Sequence, residues 1–143
     1  MSGLDTLARL YAWNLEEARR ALGMLNAVMA GLASERNRLE RALEREADTA
    51  DEAGSIEATR SYSAFLTGVR ARQAEIDEDM RSLQEQVDQA ETAVAEALRD
   101  SKACEAALDR IAAEKAVAER RRQQAVQDEA GRRLAAQGTI PQT

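Results

Sequence analysis

Apolar residues recur along this chain in steps of three and four, and they do so in two separate runs. The first run passes through Leu4, Leu7, Tyr11, Leu15, Ala18, Leu22, Leu25, Met29, Leu32, Arg36, Leu39, Leu43, Ala47 and Ala50. After one irregularity between Leu7 and Leu15 the steps are close to a strict three-four alternation. Its mean is the 3.5-residue period of a left-handed coiled coil, not the 3.6 of a straight helix. Arg36 is its one charged member. The second run passes through Tyr62, Leu66, Val69, Gln73, Ile76, Met80, Leu83, Val87, Ala90, Val94, Ala97, Ser101, Cys104, Leu108 and Ile111. It keeps the same step through Lys115, Ala118, Arg122 and Ala125, where charge enters the stripe. Flanking positions are charged, with pairs such as Arg81 and Glu85 at helical spacing.

Between the runs lies Asp51-Glu52-Ala53-Gly54-Ser55. Gly54 suits the left-handed conformation that ends a helix. Ser55 suits the capping position that starts the next, its hydroxyl accepting an orphan N–H. A short loop makes two amphipathic helices antiparallel neighbours. The pattern thus predicts an all-α chain: a long two-helix antiparallel coiled-coil hairpin with the C-terminal helix longer than the N-terminal one. Helix one covers about 4–50, the turn 51–55, helix two about 56–137, and a disordered tail 138–143, within a single domain of residues 1–143.

The two runs are unequal. Helix one is ~70 Å long and helix two ~120 Å at 1.5 Å per residue. Folding about Gly54 sets Leu4 opposite roughly Lys102, so the end of helix two should extend ~50 Å past its partner. The seam agrees, being apolar up to Ile111 and polar at Lys115 and Arg122. A lone helix is marginally stable in water, so a partner would order this segment.

Composition sharpens this picture. Aromatics are 3% of residues and charged residues 32%. Large rings fill globular cores, so any core here is narrow. The single proline, Pro141, is too late to kink either helix. Net charge is −6 but uneven. Acids dominate from Glu75 to Asp100, whereas from Arg110 to Arg133 the bases outnumber them. A globally acidic chain is a poor general nucleic-acid binder, so none is expected as a partner. One cysteine, Cys104, allows no intrachain disulfide. The start lacks a signal peptide's basic and apolar regions, and no apolar stretch reaches the ~20 residues of a membrane span. A cytoplasmic protein is expected.

Histidine is absent, which removes the commonest general base and metal ligand. No phosphate-cradling glycine loop, paired-cysteine motif or nucleophile elbow occurs. Carboxylates are plentiful, but without a pocket they remain solvated charges. The chain is therefore expected to be non-enzymatic, with no catalytic residue, metal or cofactor. Cys104 lies on the seam and reads as a small buried hydrophobe. Phe65 lies beside the seam near the turn, either covering the seam's edge or anchoring a partner. Trp13 lies off the stripe and has two readings, packing or binding. The bases Arg120, Arg121, Arg122, Arg132 and Arg133 either solvate the helix end or enter an acidic or polar cavity of a partner.

The opening Leu4-Asp5-Thr6-Leu7-Ala8-Arg9-Leu10, followed by Glu16-Glu17-Ala18-Arg19-Arg20-Ala21-Leu22-Gly23, resembles the N-terminal helix of the flagellar export proteins of the FliJ family. Ser61-Tyr62-Ser63-Ala64-Phe65-Leu66-Thr67 is similar to that family's entry into the second helix, and Gln127-Asp128-Glu129-Ala130-Gly131-Arg132-Arg133 to its close. The resemblance implies a stalk of the flagellar type III export ATPase, with partners in the hexameric export ATPase, the membrane export gate and substrate-specific export chaperones. It implies a monomer when free, at the inner face of the cell membrane at the flagellar base. It also implies gate binding by Phe65 and Val69. Further patch positions fall on Arg72 and Ile76, where Arg72 departs from the family's small residue. The ATPase contact does not carry over residue by residue. The lost seam assigns it to the bare helix end and its bases Lys115, Arg120, Arg121, Arg122, Arg132 and Arg133. Other readings are a stalk of a virulence type III secretion system, a coiled-coil scaffold dimerising near Arg122, and a chaperone gripping clients with its helix ends.

Overall fold

A computed structural model describes residues 3–138. The tail expected to be disordered lies outside them, except for Gly138. The described chain is two helices without strands, α1 over Gly3–Ala53 and α2 over Ile56–Gly138. It is a helical hairpin with the second helix longer.

The connection is shorter than the sequence suggested. Asp51, Glu52 and Ala53 stay in α1, because none of them resists helical dihedrals. Only Gly54 leaves, with φ of 62°, the region where a side chain would strike the backbone. Its N–H donates to the Ala50 carbonyl at 3.1 Å, closing the end of α1. Ser55 then caps α2, its Oγ accepting the Ala58 N–H at 3.1 Å and its carbonyl the Thr59 N–H at 3.1 Å.

The chain gathers into two compact units. The first is Ala12–Leu98. Its buried apolar side chains are Leu15, Leu43, Val69, Ile76 and Val87, with Ile76 at 0% exposure. Leu22, Leu25, Met29, Leu32 and Leu39 from α1, and Tyr62, Leu66, Met80 and Leu83 from α2, are half-buried around them. All belong to the two stripes. Four cross-helix residue pairs fix the pairing in this unit: Glu35 with Arg72, Arg36 with Asp77, and Glu40 with both Arg70 and Gln73. Each pair straddles Ser55 symmetrically to within three residues, which is an antiparallel register.

The second unit joins residues 3–11 to residues 99–138. Ser101 and Cys104 are buried, and the Cys104 thiol lies 3.9 Å from the Leu4 carbonyl oxygen that accepts from it. The start of α1 therefore meets Cys104, half a turn beyond the expected Lys102. Ala107 and Leu108 are half-covered. Burial then stops. Ile111, the last large apolar member of the stripe, is 40% exposed. From Asp109 to Gly138 every residue of α2 is exposed, a bare length of ~45 Å.

Candidate functional surfaces

Among the described residues, the candidate sites lie on the helix surfaces. One candidate lies in the Ala12–Leu98 unit. Phe65, Val69, Arg72 and Ile76 step by four, three and four, which aligns them on one helix face. In this chain that face is the one turned to α1. Val69 is 5% exposed and Ile76 is fully buried. Only Phe65, at 38%, shows a substantial apolar surface. Val69, which the resemblance pairs with Phe65, is packed in the seam one turn further along α2.

Arg72 is occupied as well. Its Nε and Nη2 donate to the two carboxylate oxygens of Glu35 at 2.9 and 3.0 Å, and Nη1 to Glu75 at 3.1 Å. This is the two-armed geometry in which a guanidinium binds a carboxylate best. The hydrogen bond from Arg72 holds the Glu35 carboxyl below its ordinary value, and the Glu35 and Glu75 carboxylates push the Arg72 guanidinium up. Two more clusters flank it. Arg36, the charged member of the first stripe, turns aside and donates to Asp77 at 2.8 Å, and that bond raises its pKa. Gln73, a seam residue at 3% exposure, donates to Glu40 at 2.9 Å and accepts from Arg70 at 2.6 Å. Arg70 also donates to Glu40 at 2.9 Å, closing a triangle. Gln73 first and Arg70 second hold the Glu40 carboxyl below its ordinary value.

These braces were missed in the sequence. The signal was present as opposite charges beside the two stripes, where they decide which helices pair and in what register. Reading it required the register first. The pair suggested between Arg81 and Glu85 does not form, and Arg81 instead meets Glu78 at 3.1 Å. Trp13, ambiguous by position, is 60% exposed on the outside of α1.

The other candidate is the bare end of α2. All six bases expected to bind a partner lie here, and all are exposed. The structure divides them. Arg122 is held by Glu119 at 3.5 Å, while Glu129 holds Arg133 at 3.5 Å and Arg132 at 4.0 Å. Lys115, Arg120 and Arg121 have no acidic partner among the described residues. The stretch is not wholly polar. Val117 is 40% exposed, Val126 68% and Leu134 69%, and Val126, Ala130 and Leu134 align four residues apart. No cluster of three or more metal-ligating side chains occurs among the described residues, and none of their helices is long and apolar enough to cross a membrane.

One family model, described as the flagellar FliJ protein, matches residues 1–139. No curated protein matches the chain, and no solved structure does.

Proposed function

The chain belongs to the flagellar FliJ protein family over residues 1–139, and on that premise we propose that it is the non-enzymatic stalk of the flagellar type III export apparatus. In this reading the bare end of α2 binds the hexameric export ATPase, Phe65 contacts the membrane export gate, and the chain escorts export chaperones. One observation carries it: α2 continues as helix for ~45 Å past the last half-covered residue, Leu108, with every side chain exposed.

The physical logic is direct. A helix satisfies its own backbone, but an isolated one is only marginally stable in water. An uncovered helix that also carries Val117, Val126 and Leu134 gains most from a partner that covers it. The ATP chemistry then belongs to that partner. This chain has no histidine and supplies a surface instead of a catalytic group. On the gate side, Phe65 supplies the apolar contact. Val69 serves it from within the seam by fixing the turn of α2 on which Phe65 stands.

Adding the purified chain to its cognate export ATPase should promote ring formation and raise ATP turnover. Turnover and ring mass that stay at the level of the ATPase alone would overturn the stalk reading.

A further inference from the structure

We infer that the outer face of α1, centred on Ala27, is a self-association surface that takes a second copy of this chain in antiparallel register. The inference goes beyond the stalk reading and does not depend on it.

Residues 21–34 carry no charge, the longest such run in a chain that is 32% charged. Leu22, Leu25, Met29 and Leu32 of this run turn to α2 and are half-covered. At about 100° per residue, Ala27 points directly away from them. Around Ala27 stand Gly23, Met24, Val28, Ala30 and Gly31, all exposed. Met24 is 71% exposed and Val28 51%. The solvated face of an amphipathic helix is normally charged or polar, and this one is neither. The glycines add to the contrast. Glycine weakens a helix interior, yet a Cβ at Gly23 or Gly31 would meet nothing within 4 Å. No contact inside the chain requires them. Small residues on a helix face let a second helix approach to about 8 Å between axes.

The order of residues selects the occupant. Reversing a second α1 about Ala27 sets Ala27 against Ala27 and Gly23 against Gly31. Met24 and Val28 lie on the same side of the face, so those of the two copies meet in one apolar cluster. Further out, Glu16 falls opposite Arg38 and Trp13 opposite Arg41, each pair occurring twice by symmetry. Arg38 and Arg41 are in no salt bridge of the described residues. Glu16 is held only by Arg19 at 3.1 Å, an exposed pair of little worth that can exchange. Trp13, 60% exposed, offers its ring to a guanidinium. A second copy meets all these conditions by symmetry, whereas a foreign helix would need a matched sequence of its own. The face is narrow, and a two-helix contact of this length buries less than the roughly 1,200 Å² of a stable complex. The pair is therefore weak, dissociating at roughly 100 µM, and the dilute chain is a monomer.

Sedimentation equilibrium of the full chain tests this. From roughly 5 to 500 µM the mean mass should rise from 15.7 kDa toward twice that value. Ala27→Glu sets two carboxylates face to face and should hold the mass at the monomer value, with unchanged helicity by circular dichroism. Glu16→Arg should weaken pairing severalfold, and E16R/R38E should restore it. Ala27→Cys should link two copies by a disulfide under mild oxidation, whereas Gln84→Cys, exposed on α2, should not. A monomer mass at every concentration would overturn the proposal, as would association that Ala27→Glu leaves unchanged. Association lost only in a chain ended after Ile111 would move the contact to the bare end of α2. A double variant no better than Glu16→Arg would overturn the antiparallel register. A chain that stays monomeric while Ala27→Glu impairs binding of an export chaperone would give the face to another protein and overturn self-association. None of these results bears on the stalk reading, which ring formation tests separately.

Discussion

Arg72 of α2 holds Glu35 of α1 with two parallel hydrogen bonds, Nε to Oε1 at 2.9 Å and Nη2 to Oε2 at 3.0 Å. The pair joins residues far apart in the chain and fixes their rotation about the helix axes as well as their level. With Arg36–Asp77 and the Glu40–Gln73–Arg70 triangle, it makes a polar band beside the fully buried Ile76. Apolar zips tolerate slippage by a heptad, and polar pairs of this kind penalise it.

The band makes the hairpin acid-sensitive. Glu35 and Glu40 both have folded pKa values below their ordinary 4.5. Their contribution is complete above about pH 4.5 and is lost as pH falls through the lowered folded values. Glu35→Gln should therefore lower the thermal midpoint at pH 7, and the gap should close as pH falls below 4.5. Melting followed by circular dichroism from pH 7 to pH 3 checks this. An undiminished gap at pH 3 would show that the ion pair is not its source.

Stability should be concentrated at the seam. Ile76→Ala removes a fully buried side chain and should cost about 2–4 kcal/mol. Ile111→Ala, at a site 40% exposed, should cost less than about 1 kcal/mol. Urea unfolding of the two variants gives the comparison. Equal losses would mean that Ile111 is covered in solution.

Glycines should divide by backbone conformation. Gly54 has φ of 62°, so Gly54→Ala should destabilise the hairpin by roughly 1–2 kcal/mol. Gly68 lies within α2, and an added Cβ there would meet nothing within 4 Å. Gly68→Ala should stabilise by roughly 0.5–1 kcal/mol. Opposite shifts in thermal midpoint are the expected result.

Phe65→Ala should weaken binding to the export gate without lowering helicity, because the ring is part-exposed beside the seam. Surface plasmon resonance against the gate's soluble portion measures this. Unchanged affinity would remove Phe65 from the contact.

Much of this fold could be read from spacing alone. Leu15, Leu43, Val69, Gln73, Ile76, Val87, Ser101 and Cys104, the buried residues, all lie on the two stripes. Gly54 and Ser55 act as their residue types suggested. Three things were not legible, each for a physical reason. Loss of periodicity marks where packing stops and not where a helix ends, so Asp51–Ala53 were misplaced into the turn. A stripe shows that a face is used without showing by what, which is why Val69 could be read both as seam and as surface. Which bases are free depends on rotamers and neighbours, so Arg122 and Arg120 look alike in sequence but differ in the structure.

The most direct test is ring assembly with a chain ended after Ile111, compared with the full chain at equal concentration. Mass photometry of the export ATPase should show hexamers with the full chain and no increase with the shortened one. The shortened chain should melt at the same temperature, since everything it lacks is exposed. Hexamers formed equally well with the shortened chain would contradict the assignment of function to the bare end of α2.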